Sequence, residues 1–501
     1  MNAISESPRS ENSRKFPHLR QDFTASLVVF LVALPLCVGV AVASGVPAEL
    51  GLVTGIVGGI VTGLLPGSSL QVSGPAAGLT VLVFGAVTEY GLPALGVIVL
   101  AAGLIQLAMG ALKLGGWFRA ISLSVVEGML AGIGLVLIAG QLYSAAGLEA
   151  PASGIDKITG LPGAAADALG STEALTSLAL GAGTVAVLVL WRRLPKRVQA
   201  VPGALAAVGL ATAVTAVFGL SVATVEVNGL LDSIQPPGAD AFGELASVGI
   251  LGTIVAFTLI ASAESLFSAA AVDRLHNGPR TEYNKELMAQ GAGNTVCGLL
   301  GALPMTAVIV RSSANVSAGA RTKASRVMHG VWLLLFAALL PSVLALIPLP
   351  ALAGILVHAG WKLIPFRGIV PLWRGHRGEA LILVVTAVSI VAVNMFEGVL
   401  IGLALSVVKT AWEASHLKLE VVDKGAGPVQ AHLSGNATFL RLPKILESLE
   451  ALPQDRPVEL DLSGLHHLDH ACRTALENWA ERHSATGTDP VKVTEPATAA
   501  V

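Results

Sequence analysis

The chain has 501 residues, of which 53% are apolar and only 13% charged, and its mean hydropathy is +0.73. Soluble domains carry roughly a quarter charged residues, so this chain lacks the charge to cover several of them and reads as a polytopic membrane protein. The formal net charge of −2 excludes a strongly basic nucleic-acid binder, and Cys37, Cys297 and Cys472 are too scattered for a disulfide framework or a zinc site.

Residues 1–21 form a polar tail containing Arg9, Arg14, Lys15 and Arg20. No short apolar stretch with a cleavage site follows it, so no removable signal peptide is expected. Apolar segments then recur near 25–44, 48–66, 75–90, 93–112, 121–145, 173–191 and 200–220. A second set lies near 246–270, 286–303, 306–319, 327–348, 349–361, 379–395 and 397–416. Most approach the roughly 20 residues that cross a bilayer core. The third and tenth are too short and begin at proline or polar residues. The expectation is an all-α transmembrane domain over 22–417 with fourteen spans.

Loop charges test that count. Lys113 and Arg119 follow the fourth segment, Arg192, Arg193, Lys196 and Arg197 the sixth, and Arg274, Arg280 and Lys285 the eighth. Arg321, Lys323 and Arg326 follow the tenth, and Lys362, Arg367, Arg374 and Arg377 the twelfth. On the opposite side stands only Lys157, against Glu149, Asp156, Asp167, Glu226, Asp232, Asp240 and Glu244. The stretch after the second segment is uncharged and gives no vote. Both termini are therefore expected in the cytosol of a bacterial-type cytoplasmic membrane, and an acidic segment, 221–245, outside.

The two short segments each stand third in their set of seven. That is the pattern of an inverted repeat, here about 22–220 and 246–416, whose half-helices meet near the membrane midplane. After Lys418 the composition changes. Residues 419–485 hold strand-like runs from Gln430 to Leu440 and Val458 to Leu462, and helix-like ones from Leu442 to Leu452 and Ala471 to Arg482. They predict a small cytosolic α/β unit, followed by a tail, 486–501, expected to be disordered.

Arg311 is the only arginine placed inside a span, near the start of the short tenth segment. An intramembrane arginine faces a partner or a water-filled cavity, and a helix N-terminus adds unpaired N–H donors that favour an anion. The third segment offers a matching start at Gln71-Val72-Ser73-Gly74-Pro75-Ala76-Ala77-Gly78. Two opposed N-termini and one arginine make a small-anion site; the competing reading is that Arg311 pairs with a buried carboxylate and locks the bundle. Glu264 lies mid-span with Ser268 on the same helical face, suited to a coupling ion, proton or sodium, or to a salt bridge with Arg311. Glu127 reads as a solvated charge at a helix end, and Asp273, Arg274 and Glu286 as loop-proximal charges. Gly128, Gly132 and Gly134 read as close helix packing, and His466, His467 and His470 as surface histidines. No nucleophile–base pair or metal cluster points to an enzyme.

These residues resemble the sulfate permease (SulP) family of anion transporters, which includes prestin and pendrin. The most specific stretch is Asn284-Lys285-Glu286-Leu287-Met288-Ala289-Gln290-Gly291-Ala292-Gly293-Asn294, then Leu303-Pro304, Arg311-Ser312, Asn315 and Gly319-Ala320-Arg321-Thr322. The resemblance implies a seven-plus-seven inverted repeat, with a core domain (spans 1–4 and 8–11) moving against a gate domain (5–7 and 12–14), usually as a homodimer. It implies secondary active transport of a small inorganic anion, bicarbonate or sulfate, by ion-coupled symport or exchange with elevator-like alternating access and no bound cofactor.

The anion would lie between Ser73, Gly74, Pro75, Ala76 and Ala77 on one side and Ala307, Val308, Ile309, Val310, Arg311 and Ser312 on the other. First-span residues Pro35, Leu36 and Val40 would line it, with Leu36 where many members carry glutamine. Sodium-dependent members hold sodium with an Asp and a Thr, where this chain has Glu264 and Ser268; proton coupling therefore stays open. Residues 419–485 resemble a short STAS domain through Leu460-Asp461-Leu462-Ser463-Gly464 and Asp469, with His470 and Ala471 in place of a phospho-switch serine. The alternatives are a dicarboxylate or nucleobase permease of this architecture, or a non-transporting anion or voltage sensor.

Overall fold

The structure, a computed structural model, describes residues 18–120, 122–151, 153–191, 193–195, 197–227, 229–238, 243, 248–425, 427–487 and 489–495. It divides into two units, Met1–Gly402 and Leu403–Val501.

The first unit opens with α1 (Leu19–Ala43) and α2 (Ala48–Leu64), then strand β1 (Ser73–Pro75), a 3-10 turn and α3 (Thr80–Ala111). Gly91, at φ +80 and two residues before Pro93, breaks α3 into two helices. A side chain there would be strained in that left-handed conformation. α4 (Leu123–Ala145), α5 (Gly154–Thr159), α6 (Leu161–Leu169), α7 (Thr172–Trp191) and α8 (Gly203–Phe218) complete the first half. The second runs through α9 (Val248–Asp273), α10 (Tyr283–Leu299), strand β2 (Met305–Ala307), α11 (Ile309–Ser317) and α12 (Ala324–Leu339). α13 (Pro341–Leu344), α14 (Leu349–Leu363), α15 (Phe366–Gly375), α16 (Arg377–Ala392) and α17 (Met395–Ala414) follow, the last running on into the second unit. Pro341 and Pro350 fall in first turns, where a missing N–H leaves no intrahelical bond unmade.

Among the described residues, seven helices are long and apolar enough to cross a membrane by length and composition. The α4 glycines do pack closely: a Cβ on Gly128 would stand 2.5 Å from the Leu383 carbonyl oxygen, and one on Gly134 2.6 Å from that of Gly360.

Two charges read as loop-proximal are buried instead. Glu286, 1% exposed, accepts a bond from the Ser68 N–H at 2.7 Å, and the Asp273 carboxylate accepts from the Thr281 N–H and hydroxyl. Their backbone partners are far along the chain or across a loop, so hydropathy alone places them in water.

In the second unit, β3 (Leu417–Val422) runs antiparallel to β4 (Val429–Ala437). β5 (Val458–Leu468) runs parallel to β4, and β6 (Lys492–Thr494) parallel to β5. Alternate β4 residues Val429, Ala431 and Leu433 are buried with Leu460, and α18 (Leu442–Glu450) and α19 (His470–Thr486) supply Ile445, Leu476 and Trp479 to the same core. This small α/β fold is compatible with a STAS domain. It also corrects the tail: the sheet takes in residues 492–494, beyond the expected boundary at 485, while 496–501 lie outside the described residues.

Asp469 caps α19, accepting from the Cys472 N–H at 2.7 Å and from the Phe439 N–H at 2.6 Å. Burial pushes its carboxyl up, but these N–H bonds outweigh burial and hold it below its ordinary value. Its stabilisation is therefore complete above the usual carboxylate range and lost as pH falls through the lowered value. Asp469→Ala is expected to cost ~1–2 kcal/mol, read as faster hydrogen exchange in 470–486 of the full chain at neutral pH. Unchanged protection there would refute the cap.

Candidate functional site

Two three-residue strands carry the site. They pair antiparallel with Ser73 opposite Ala307, Gly74 opposite Thr306 and Pro75 opposite Met305. Such a short ladder cannot hold itself, and side chains from four helices fix it. Along one face of α10, Glu286 binds the Ser68 N–H, Gln290 donates to the Ser73 hydroxyl at 2.7 Å, and Asn294 accepts from the Met305 N–H at 2.7 Å. Asn294 also donates to the Gln106 amide oxygen of α3, and Gln106 to the Ser262 hydroxyl of α9. Ser265 accepts from the Ala307 N–H, Ser312 from the Val72 N–H at 2.9 Å, and Asn315 donates to the Leu70 carbonyl.

This assigns a task to the residues at positions 286, 290 and 294, which recur every four along one helix face. Leucine at 294 would leave the Met305 amide and the Gln106 oxygen without partners, at about 1–3 kcal/mol each. Asn294→Leu is expected to lower the melting temperature of the purified protein and to abolish anion binding. A variant of unchanged thermal stability would contradict the assignment.

Both helix starts open on one cavity of about 560 Å³. Of the residues expected at the site, Leu36, Val40, Pro75, Ala77, Glu264, Ser268, Val308, Ile309, Val310 and Arg311 line it. Ser73, Gly74, Ala76, Ala307 and Ser312 are buried in or beside the ladder, Pro35 is buried within α1, and none of these six lines the cavity. Ser73 and Ser312 spend their hydroxyls on the scaffold rather than facing a ligand. Gly78 of the third-segment start also lines it, as do Lys362, read above only as a loop charge, and His358, which had not been singled out.

Ile309 and Val310, each 44% exposed, bring the first turn of α11 to the cavity surface, where its leading N–H groups lack intrahelical acceptors. Arg311 is 1% exposed: one arm donates to the Pro75 carbonyl at 3.1 Å. Its other nitrogens, Nε and Nη1, have no hydrogen-bond partner, and among the described residues it makes no ion pair. A Cβ at Gly74 would meet the end of its guanidinium, so any larger residue there would have to displace Arg311. The salt bridge with Glu264 is therefore not made. Arg311 sets a positive charge behind the strand pair and ties β1 to α11.

Glu264 sits on the other start. A Cβ at Gly78 would stand 2.7 and 2.9 Å from its carboxylate oxygens, and Oε2 has no hydrogen-bond partner. One carboxylate thus occupies the N-terminal end of the third segment, where a bound anion would compete with it.

The model of the sulfate permease family matches residues 19–386. A Bacillus subtilis (strain 168) protein named as a candidate sulfate transporter, YvdB, is 29% identical over 94% of this chain and 90% of its own. The bicarbonate transporter BicA of Picosynechococcus sp. is 27% identical over 94% and 88%. The solved murine Slc26a9 anion transporter shares the fold, with a TM-score of 0.76 at 16% identity, covering 98% of this chain and 90% of that one.

Proposed function

Since the chain belongs to the sulfate permease family, integral membrane transporters rather than enzymes, we propose that it carries bicarbonate or sulfate across the cytoplasmic membrane by alternating access. The observation that carries this reading is the pair of helix starts, at Ala77 and Ile309, facing one cavity with Arg311 behind them. N-terminal donors and a buried guanidinium favour a small anion over a neutral nucleobase.

The transport unit is fourteen spans in two inverted sets of seven, with the strand-bearing third and tenth segments in a core that slides against a gate. Supporting this, the two strands pair with each other and lie in corresponding positions of the two halves. The cavity is also lined by Trp191, Pro202 and Lys362, at helix ends beside the basic loops. By the loop-charge rule that side is cytosolic, so the conformation is inward-open, both termini are cytosolic, and the protein works as a homodimer.

Glu264 is the coupling group. Its carboxylate and the anion exclude one another at the Gly78 helix start, so protonating the carboxylate admits the anion. Sodium at Glu264 and Ser268 is the other way to neutralise it. The chain needs no cofactor beyond that ion.

Ala77→Asp tests the site directly by fixing a negative charge at the first helical turn. The variant is expected to fold, elute as the wild type does, and lose anion uptake. Uptake at the wild-type rate would remove the anion from this position.

A further inference from the structure

Helix α15 (Phe366–Gly375) is ten residues long, carries Pro371 inside it, and buries none of its residues fully. A helix this short does not persist by itself in water, so its stability needs a cover. Phe366, Val370 and Trp373 stand four and three positions apart and share one stripe of the helix. They are 44%, 54% and 50% exposed. Ile369 and Leu372, on the neighbouring stripe, are half-buried and take the side that packs on the protein.

The other flank of the apolar stripe is basic. Arg367 and Arg374, seven positions apart, are exposed and border it on the side away from Ile369 and Leu372. Among the described residues neither makes an ion pair. Residues 349–378 contain no aspartate or glutamate that could neutralise them.

The place of α15 in the chain says what covers it. Ile364 is extended and Pro365 has no N–H to give, so α14 ends there and α15 starts afresh. The exposed Trp361 ring, near the end of α14, lies 4.4 Å from the Phe366 ring. By the loop-charge rule this connection is cytosolic. A short helix tied to the end of a membrane span, aromatic on one stripe and basic on the next, fits a bilayer interface. Its charge is all of one sign, and the anionic cytosolic leaflet is the complementary surface.

We propose that α15 is an interfacial anchor that binds anionic phospholipid headgroups through Arg367 and Arg374, with Phe366, Val370 and Trp373 in the acyl boundary. The helix it follows, α14, gives Ile355, Ala359 and Leu363 to the wall of the anion cavity, so an anchored α15 fixes that wall. This consequence rests on the transport reading; the lipid contact does not.

The test is hydrogen exchange across residues 366–375 of the full-length protein, in nanodiscs of phosphatidylcholine alone and with added phosphatidylglycerol. Exchange is expected to be at least about fivefold slower with the anionic lipid, the factor that one basic residue near such a surface contributes. The difference should vanish when Arg367→Gln and Arg374→Gln are combined, and Trp373→Ser should speed exchange in both lipids. Equal exchange in the two lipids, a difference that survives the double substitution, or no effect of Trp373→Ser overturns the proposal. So does equal protection in detergent without phospholipid, since a second copy or another part of the chain would then be the cover. Uptake in liposomes of the same two compositions judges the transport reading separately. Wild type whose exchange follows the lipid yet moves no anion contradicts transport and leaves the anchor standing.

Discussion

Glutamine at position 264 is expected to abolish anion accumulation driven by a proton gradient while leaving anion–anion exchange in place. The carboxylate lies against the Gly78 helix start with one oxygen unpartnered. Two like charges about 4 Å apart repel by about 4 kcal/mol at a protein-like dielectric, so an ionised Glu264 and a bound anion do not share this site. Protonation relieves the conflict, and the proton then travels with the anion. At one proton per anion, a gradient of one pH unit is worth ~1.36 kcal/mol, or about tenfold accumulation. Glutamine keeps the shape and fixes the neutral state, so accumulation should fall to about onefold. Tenfold accumulation by the variant would contradict the coupling role. Accumulation that follows sodium instead, and falls in Ser268→Ala, would transfer coupling to sodium.

Truncating Arg311 has the second large effect. Arg311→Ala removes a buried charge and the donor to the Pro75 carbonyl. Arg311 lines the cavity with Nε and Nη1 unpartnered, and a charge-assisted hydrogen bond from them to the anion is worth about 1.5–3 kcal/mol, so anion affinity is expected to fall roughly 10–100-fold. The fold should survive, because Gln290, Asn294, Ser312 and Asn315 hold the ladder without it. Lysine at 311 restores the charge but not the planar fork, and an intermediate affinity is expected. Titration of bicarbonate into the purified variants measures all three. Wild-type affinity in the alanine variant would show that the charge behind the strands does not reach the ligand.

The sequence made the helices and the place of Arg311 legible, because apolar runs, loop charges and proline breaks are local signals. Local signals could not say where each arm of Arg311 goes: one donates to the Pro75 carbonyl, far back along the chain, while Nε and Nη1 have no hydrogen-bond partner. Ser312 reads as a site hydroxyl for the same reason, although its partner Val72 is 240 positions away. Glu286 sits at a helix start among charges and reads as loop-proximal, while its acceptor role at Ser68 spans 218 positions. The edge strand Lys492–Thr494 is three residues long in a polar setting, too short for alternation to register. Apart from that strand, what remained hidden was a side chain's partner far along the chain.

The most direct measurement is uptake of labelled bicarbonate and of labelled sulfate by the protein reconstituted in liposomes, with proton and sodium gradients imposed separately. The account predicts that at least one anion accumulates under one of the gradients and that Ala77→Asp does not support it. No uptake of either anion under either gradient, by protein that is folded and inserted, would contradict it and leave a sensor or a carrier of other solutes.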